Sequence, residues 1–310
     1  MQKPRIAVVD LGTNSTRLLV GEVAGGAVTE LDRRTSITRL GEGVDSSGRL
    51  TEEAIGRVLE ALAEYHRQIE RLEPERVLAV ATSAVRDAAN GEELLERIAD
   101  RFGFEPHTIS GEEEARLTFR GATAGREAHK ETLVVDIGGG STEYVVGMAG
   151  SDPGFHVSSK LGSVRHTERH LHDDPPPAEQ VAALAEDARG VISAEVPAAV
   201  RAGVTSGIAV AGTATSLAAI DQELDPYDPE RVHGYRLSPE ACERILARLA
   251  ALPLAERREV AGLHPDRAPT IVAGAAILLE TVRAFGLEEI EISEADILHG
   301  AALAGATRRG

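Results

Sequence analysis

Two stretches of the chain join a carboxylate to a turn of small and hydroxyl-bearing residues, a combination suited to holding phosphate. Residues 8–21 read VVDLGTNSTRLLVG and residues 134–147 read VVDIGGGSTEYVVG. Laid over one another at an offset of 126 residues they agree at eight of fourteen positions, where average composition would give roughly one. Glycine lets the main chain approach a phosphate closely, and successive N–H groups of such a turn make an anion-binding concavity. Gly12, Asn14 and Ser15 in the first copy, and Gly138, Gly139, Gly140 and Ser141 in the second, are therefore candidate phosphate cradles. Asp10 and Asp136 would repel a phosphate, so they imply a hard divalent cation between carboxylate and ligand, and Mg²⁺ suits oxygen donors of this kind. Glu143, seven residues after Asp136 and across the same hairpin, completes that oxygen set. A single such turn reads equally well as an ordinary tight hairpin; the matched pair does not.

The elements that must position these residues alternate between strand and helix. Each copy reads as a β-branched run ending in Asp, a turn, and a second apolar run. Between the copies, 50–72 has the 3.6-residue apolar period of a helix with Thr51 as its N-cap, 76–82 reads as a buried strand, 90–103 as a helix and 106–110 as a short strand. Ser110 and Glu113 then fit a capping box opening another helix. After the second copy come a helix near 178–200, a strand-like SGIAVAGTA, and helices near 239–251, 268–285 and 294–307. Such alternation predicts layered α/β sheets. The repeat predicts two related domains, 1–125 and 126–310, divided near GATAGREAHK, with the last helix packing back on the first domain.

Composition narrows the function. The chain has 310 residues, 42% hydrophobic and 27% charged, as expected of about two globular domains. Its formal net charge of −17 argues against general binding of nucleic acid or an anionic membrane. Five Phe, four Tyr and no Trp leave few platforms for stacking bases. The apolar runs 208–220 and 271–279 are too short to cross a bilayer. One cysteine, Cys242, forms no intrachain disulfide, and Asp10 interrupts the place where a signal peptide would be apolar, so a reducing cytoplasm is expected.

The paired turns resemble the two phosphate motifs of the actin, hexokinase and heat-shock chaperone superfamily. With ATSAVRDA (81–88), ISGEEEARLTFRGA (109–122), KLGSVR (160–165) and AGTATSL, in this order, the chain is similar to the exopolyphosphatase and guanosine pentaphosphate phosphohydrolase (Ppx/GppA) family from residue 6 to about residue 300. The resemblance implies two actin-like, ribonuclease H-like α/β domains related by duplication, an active site in the interdomain cleft, and a homodimer. It implies removal of terminal phosphate from inorganic polyphosphate with Mg²⁺, Glu114 being the catalytic base and Arg86 a ligand of a phosphoryl oxygen. The helix start suits Glu114 on separate grounds, because Glu113 has a capping role and Glu112 can pair with Arg116, which leaves Glu114 without a structural duty. Lys160, Arg165, Arg169 and Arg267 are candidates for phosphates farther along the chain.

Guanosine pentaphosphate is the rival substrate; scarce aromatics and no sign of the helical domain that longer relatives append favour polyphosphate. The rivals of another class are an actin-like kinase or scaffold using AGTATSL for adenosine, and a catalytically silent sensor of guanosine tetraphosphate. HTERHLH (166–172) has histidines at a metal-binding spacing, but with no further ligand in its local run it reads as a solvent-facing cluster.

Overall fold

A computed structural model describes residues 3–128 and 130–307. The chain divides into two compact units, Met1–Glu127 with Ala295–Gly310, and Ala128–Glu294.

The first unit is built on β1 (Arg5–Leu11), β2 (Thr16–Ala24), β3 (Ala27–Ser36), β4 (Arg76–Ala81) and β5 (Pro106–Thr108), in the order β3-β2-β1-β4-β5. Strands β1, β2 and β3 form an antiparallel meander, and β4 and β5 join it in parallel. β1 is covered on both faces, which is why its residues 6–9 run apolar without alternation. Its residues Ala7, Val9 and Leu11 point into a core shared with the Glu52–Leu72 and Gly91–Phe102 helices. Ile6 and Val8 point the other way, onto Leu298, Ala301, Ala302 and Leu303 of the Ile297–Thr307 helix. Strand alternation places Asp10 on that second face with Ile6 and Val8. β3, the edge strand, carries the charged run ELDRR that discourages edge pairing.

The second unit has β6 (Thr132–Ile137), β7 (Thr142–Gly147), β8 (Phe155–Ser159), β9 (Ser206–Val210), β10 (Arg236–Leu237) and β11 (Ile290–Ile292), in the order β10-β11-β9-β6-β7-β8. Its run β8-β7-β6-β9-β11 repeats the neighbour order and strand directions of the first sheet. The duplication read from fourteen residues thus extends to two whole mixed sheets. The single large core of this unit gathers Leu133, Val135 and Ile137 of β6 with the Ala178–Glu195, Ala211–Asp221, Pro239–Ala251 and Ile271–Ala284 helices. None of the helices of the described residues is long and apolar enough to cross a membrane.

Local signals place several boundaries. Thr51 accepts a hydrogen bond from Ala54 N at 3.2 Å, and Ser110 accepts one from Glu113 N at 3.1 Å, satisfying N–H groups that a helix start leaves open. The helix expected near 178–200 is two, Ala178–Glu195 and Ala198–Gly203, because Pro197 has no N–H to continue the first and opens the second. The strand-like SGIAVAGTA turns helical at Ala211.

The last helix, expected to pack back on the first domain, groups with the first unit, and a close helix crossing attaches it there. A β-carbon on Gly300 would lie 1.8 Å from the Leu117 carbonyl oxygen, and one on Gly121 1.9 Å from that of Asp296. The Gly111–Ala122 and Ile297–Thr307 helices therefore touch backbone to backbone at two glycines. Gly300→Ala forces them apart and should destabilise the first unit by about 1–3 kcal/mol. Urea denaturation of the variant against wild type measures this; an unchanged midpoint would show that the crossing is not tight.

Candidate active site

In the first unit the β1–β2 hairpin brings Asp10 directly opposite Arg17. Arg17 donates to Asp10 Oδ2 from Nε at 2.8 Å and from its terminal nitrogen at 2.6 Å. Its other terminal nitrogen reaches Asp296 Oδ2, just ahead of the Ile297–Thr307 helix. The sequence assigned Arg17 no role; here one guanidinium joins two buried carboxylates. Asp296 is held below the usual carboxylate range: burial works against this, but Arg17, the hydrogen bond with His299 and Arg33 outweigh it. Burial pushes Asp10 up, opposed by Arg17 and reinforced by the Asp296 charge. Asp10 Oδ1 is buried and has no hydrogen-bond partner among the described residues. Asp10 is therefore half committed, with one oxygen on Arg17 and one oriented to accept a proton donor or a cation.

The turn between these strands is closed by Gly12 N donating to Ser15 O at 3.0 Å. The carbonyls of Thr13 and Asn14 accept from Gly41 N at 2.8 Å and Arg39 N at 2.9 Å. Asn14 Oδ1 is a second buried acceptor with no partner among the described residues. Farther along the same unit, Glu114 lies in the first turn of the Gly111–Ala122 helix, its residue buried, while Glu112 pairs with Arg116 at 2.8 Å. Arg86, at the end of the Ser83–Asp87 helix that follows β4, donates to Glu114 Oε2 at 3.2 Å and to the Ile109 carbonyl at 2.9 Å. The structure thus joins the two residues expected to be catalytic, and it gives Glu114 the charged partner that the sequence did not. The Ile109 contact fixes the guanidinium against the strand-to-helix turn that also positions Glu114.

In the second unit the same hairpin geometry sets Asp136 directly opposite Glu143. Both are buried, at 7% and 1% exposure, so two carboxylates share one sheet face, a pairing that repels unless a cation or proton intervenes. Glu143 accepts from Ser158 Oγ at 2.6 Å. Gly138 N donates to Ser141 O at 3.0 Å, the bond that Gly12 and Ser15 make in the first copy. The carbonyls of this turn are taken up by the Ser163–His170 helix: Ser163 N on Gly138 O at 2.9 Å, Val164 N on Gly139 O at 2.8 Å, and Arg165 Nε on Gly140 O at 2.8 Å. Arg165, expected among the cations for distal phosphates, is 8% exposed and holds the turn itself. Lys160 and Arg169 are exposed. Arg267 packs its guanidinium over Gly212 of AGTATSL, where a β-carbon would lie 1.4 Å from it. Thr213 in that segment donates to the Ile137 carbonyl at 3.3 Å.

The histidine run departs from expectation. His172 is exposed, but His166 is fully buried and His170 half-buried, both facing Asp187 on the Ala178–Glu195 helix. Burial pushes the His166 imidazole down to about 4. A local search could not find Asp187, which sits on the following helix.

The chain belongs to the Ppx/GppA phosphatase family, whose model matches residues 19–306. It is 37% identical to exopolyphosphatase 2 of Mycobacterium tuberculosis, over 98% of this chain and 99% of that one. The crystal structure of an exopolyphosphatase-like protein superposes with a TM-score of 0.92 at 33% identity, covering 98% of both chains. The Aquifex aeolicus family member gives 0.81 at 32% identity, with 97% of both covered. A guanosine-5'-triphosphate,3'-diphosphate pyrophosphatase of Photobacterium profundum is 28% identical over 96% of this chain and 58% of its own length. The α/β architecture and the phosphatase class both follow from this membership.

The carboxylate cluster of the first unit carries a pH signature. His299 Nε2 lies 3.0 Å from Glu30 Oε1 and its Nδ1 3.7 Å from Asp296 Oδ1. Burial alone would lower the His299 pKa, but the hydrogen bonds to Asp296 and Glu30 raise it. The Glu30 pKa is lowered, first by its hydrogen bond to His299. A raised histidine stabilises the fold fully below its ordinary value of about 6.5 and loses that contribution as pH climbs through the folded-state value. Lowered Glu30 acts at the opposite end, stabilising above its ordinary value and losing this as pH falls through the folded one. Melting temperature should therefore decline as pH rises past neutrality, and His299→Gln should flatten that alkaline limb. Parallel slopes in wild type and variant would exclude this histidine as the cause.

Proposed function

We propose that the protein is an exopolyphosphatase, hydrolysing the terminal phosphoanhydride of inorganic polyphosphate in the presence of Mg²⁺. The observation that carries the reading is the Arg86–Glu114 pair in the unit that holds the first glycine turn, whose twin recurs in the second unit, within a chain that aligns over nearly its whole length with an exopolyphosphatase. In this mechanism the N–H groups of Asn14 and Ser15 and of Gly139, Gly140 and Ser141 donate to phosphoryl oxygens, while Gly12 and Gly138 close the two turns through their own N–H groups. Their carbonyls being committed to neighbouring segments, they meet the developing negative charge already oriented. Glu114 accepts the proton of the attacking water, and Arg86 fixes its carboxylate and offers a planar donor to the transferring phosphoryl group. In the first unit Asp10, through the Oδ1 that has no hydrogen-bond partner among the described residues, and in the second unit the opposed Asp136 and Glu143 are the oxygen donors suited to Mg²⁺, which would neutralise charge on phosphate oxygens when bound. The same reading has the enzyme working as a homodimer in the cytoplasm.

Guanosine pentaphosphate is the second substrate to test, because a relative named for that chemistry aligns with most of this chain. Phosphate release from polyphosphate of defined length and from guanosine pentaphosphate, measured side by side, decides between them; turnover of polyphosphate should dominate. Glu114→Ala should lower kcat by roughly 10²- to 10⁴-fold with KM little changed, and a near-normal rate would remove Glu114 from proton transfer. Asp136→Asn should raise the Mg²⁺ needed for half-maximal rate by about tenfold or more. An unshifted Mg²⁺ titration would contradict the role given to that carboxylate.

A further inference from the structure

The second unit holds a cluster of ligand-type side chains that the phosphatase reading does not use. His166 and His170 stand four residues apart on the Ser163–His170 helix, so both rings project from one face. Asp187 reaches them from the Ala178–Glu195 helix: its Oδ2 is 2.9 Å from His170 Nε2 and 3.3 Å from His166 Nε2. One donor atom from each of the three residues lies within 4.8 Å of the others. Tetrahedral donors bonded to Zn²⁺ at 2.0–2.1 Å sit about 3.3 Å apart, so the cluster is already near the size such an ion requires.

Two details favour an ion over a hydrogen-bonded triad. His170 Nε2 already uses Asp187 Oδ2 as its hydrogen-bond partner, whereas His166 Nε2, though as close as 3.3 Å, is buried with no hydrogen-bond partner among the described residues. A buried ring nitrogen aimed at a carboxylate without the geometry of a hydrogen bond is an unmet polar group. The opposite nitrogen, Nδ1, lies 3.2 Å from both the backbone nitrogen and the carbonyl oxygen of Gly162. In the tautomer that donates Nδ1–H to that carbonyl, the imidazole is oriented and its Nε2 lone pair faces the metal. Asp187 and His170 are only part-buried, which gives an ion a path in and leaves room for water to complete its coordination.

We propose that His166, His170 and Asp187 form a binding site for a divalent first-row transition ion, Zn²⁺ first among them, separate from the Mg²⁺-type carboxylates. Imidazole nitrogen selects such ions over Mg²⁺, which prefers an all-oxygen shell. The ion would tie the Ser163–His170 helix to the Ala178–Glu195 helix. The first of these helices begins at Gly162, where a β-carbon would lie 2.4 Å from the Gly139 carbonyl oxygen, and its opening N–H groups hold the phosphate turn. The site is therefore a structural brace, one helical turn away from the cradle.

Co²⁺ is the probe, because imidazole and carboxylate donors in a four-coordinate shell give it an intense visible absorption that oxygen-only octahedral sites lack. The purified full chain, stripped of metals and kept in saturating Mg²⁺, is titrated with Co²⁺ and then with Zn²⁺. Wild type should develop the band to one ion per chain, and Zn²⁺ should remove it. Because His166 is fully buried and its replacement risks misfolding, the test uses the part-buried positions, His170→Ala and Asp187→Asn, with folding verified by circular dichroism. Each should weaken Co²⁺ binding by about a hundredfold or more. A wild type without the band, or a band that persists unchanged in both folded variants, would overturn the proposal whatever the phosphatase assays show.

Discussion

The structure depends on what stands opposite a strand-end aspartate. In both units a strand carries Asp to the top of the sheet, and an antiparallel neighbour returns after a four-residue turn, so the residue seven positions later faces it on the same side. Backbone geometry is duplicated to the level of a single hydrogen bond, Gly12 to Ser15 and Gly138 to Ser141. The electrostatics are not. Arg17 faces Asp10, and Glu143, its counterpart at the 126-residue offset, faces Asp136. Burying a carboxylate costs several kcal/mol unless it is paired. The first copy offsets part of that cost with Arg17, whereas the second sets two acids opposite each other, Glu143 accepting from Ser158. The duplicated halves have thereby become unequal partners in handling charge, one supplying a pre-paired carboxylate and the other an acidic pair.

The first copy's ion pair also explains why the last helix belongs where it does. Asp10 points to the face of β1 that Ile6 and Val8 share, and that face is roofed by Leu298, Ala301 and Ala302. Arg17, lying across it, is long enough to hold Asp10 and the carboxylate of Asp296 together. Apolar packing brings the Ile297–Thr307 helix to the sheet, the two close-contact glycines let it approach, and the shared guanidinium fixes its start. Arg33 and His299 extend the network to Glu30 on β3. A charge cluster of this density, built around the β1–β2 hairpin, makes the position of Asp10 a property of the whole unit rather than of its own hairpin.

What was legible in the sequence follows the range of each interaction. Thr51 and Ser110 were readable because a cap and its partner lie three residues apart, and the hairpins because strand, turn and strand are contiguous. The second sheet's likeness to the first was readable through the repeat. Glu114 was marked mainly by the family resemblance, with elimination among three adjacent acids in support, yet its pairing with Arg86 spans 28 residues and no local period announces it. Arg17 and Asp296 are 279 residues apart. The one signal that could have exposed Arg17 was in plain view: at the repeat offset it replaces an acid proposed to bind metal. Asp187 escaped for the same reason of range, and with it the histidines changed from a surface feature to a buried cluster.

The Ser163–His170 helix connects these themes. Its first N–H groups are spent on the carbonyls of Gly138 and Gly139, and Arg165 adds its guanidinium to Gly140, so the turn cannot rotate its peptide planes without breaking the helix start. Eight residues are too few for a helix to persist by propensity alone; it holds because its N-terminal end is nailed to the turn and its C-terminal end to Asp187. Anything that strengthens the second attachment stiffens the first, since only about two turns of helix separate them. Hard carboxylate oxygens at one end and imidazole nitrogens at the other would also draw different ions from the same solution. An ion at the histidine end would therefore order the Gly138–Ser141 turn without competing for Asp136 and Glu143.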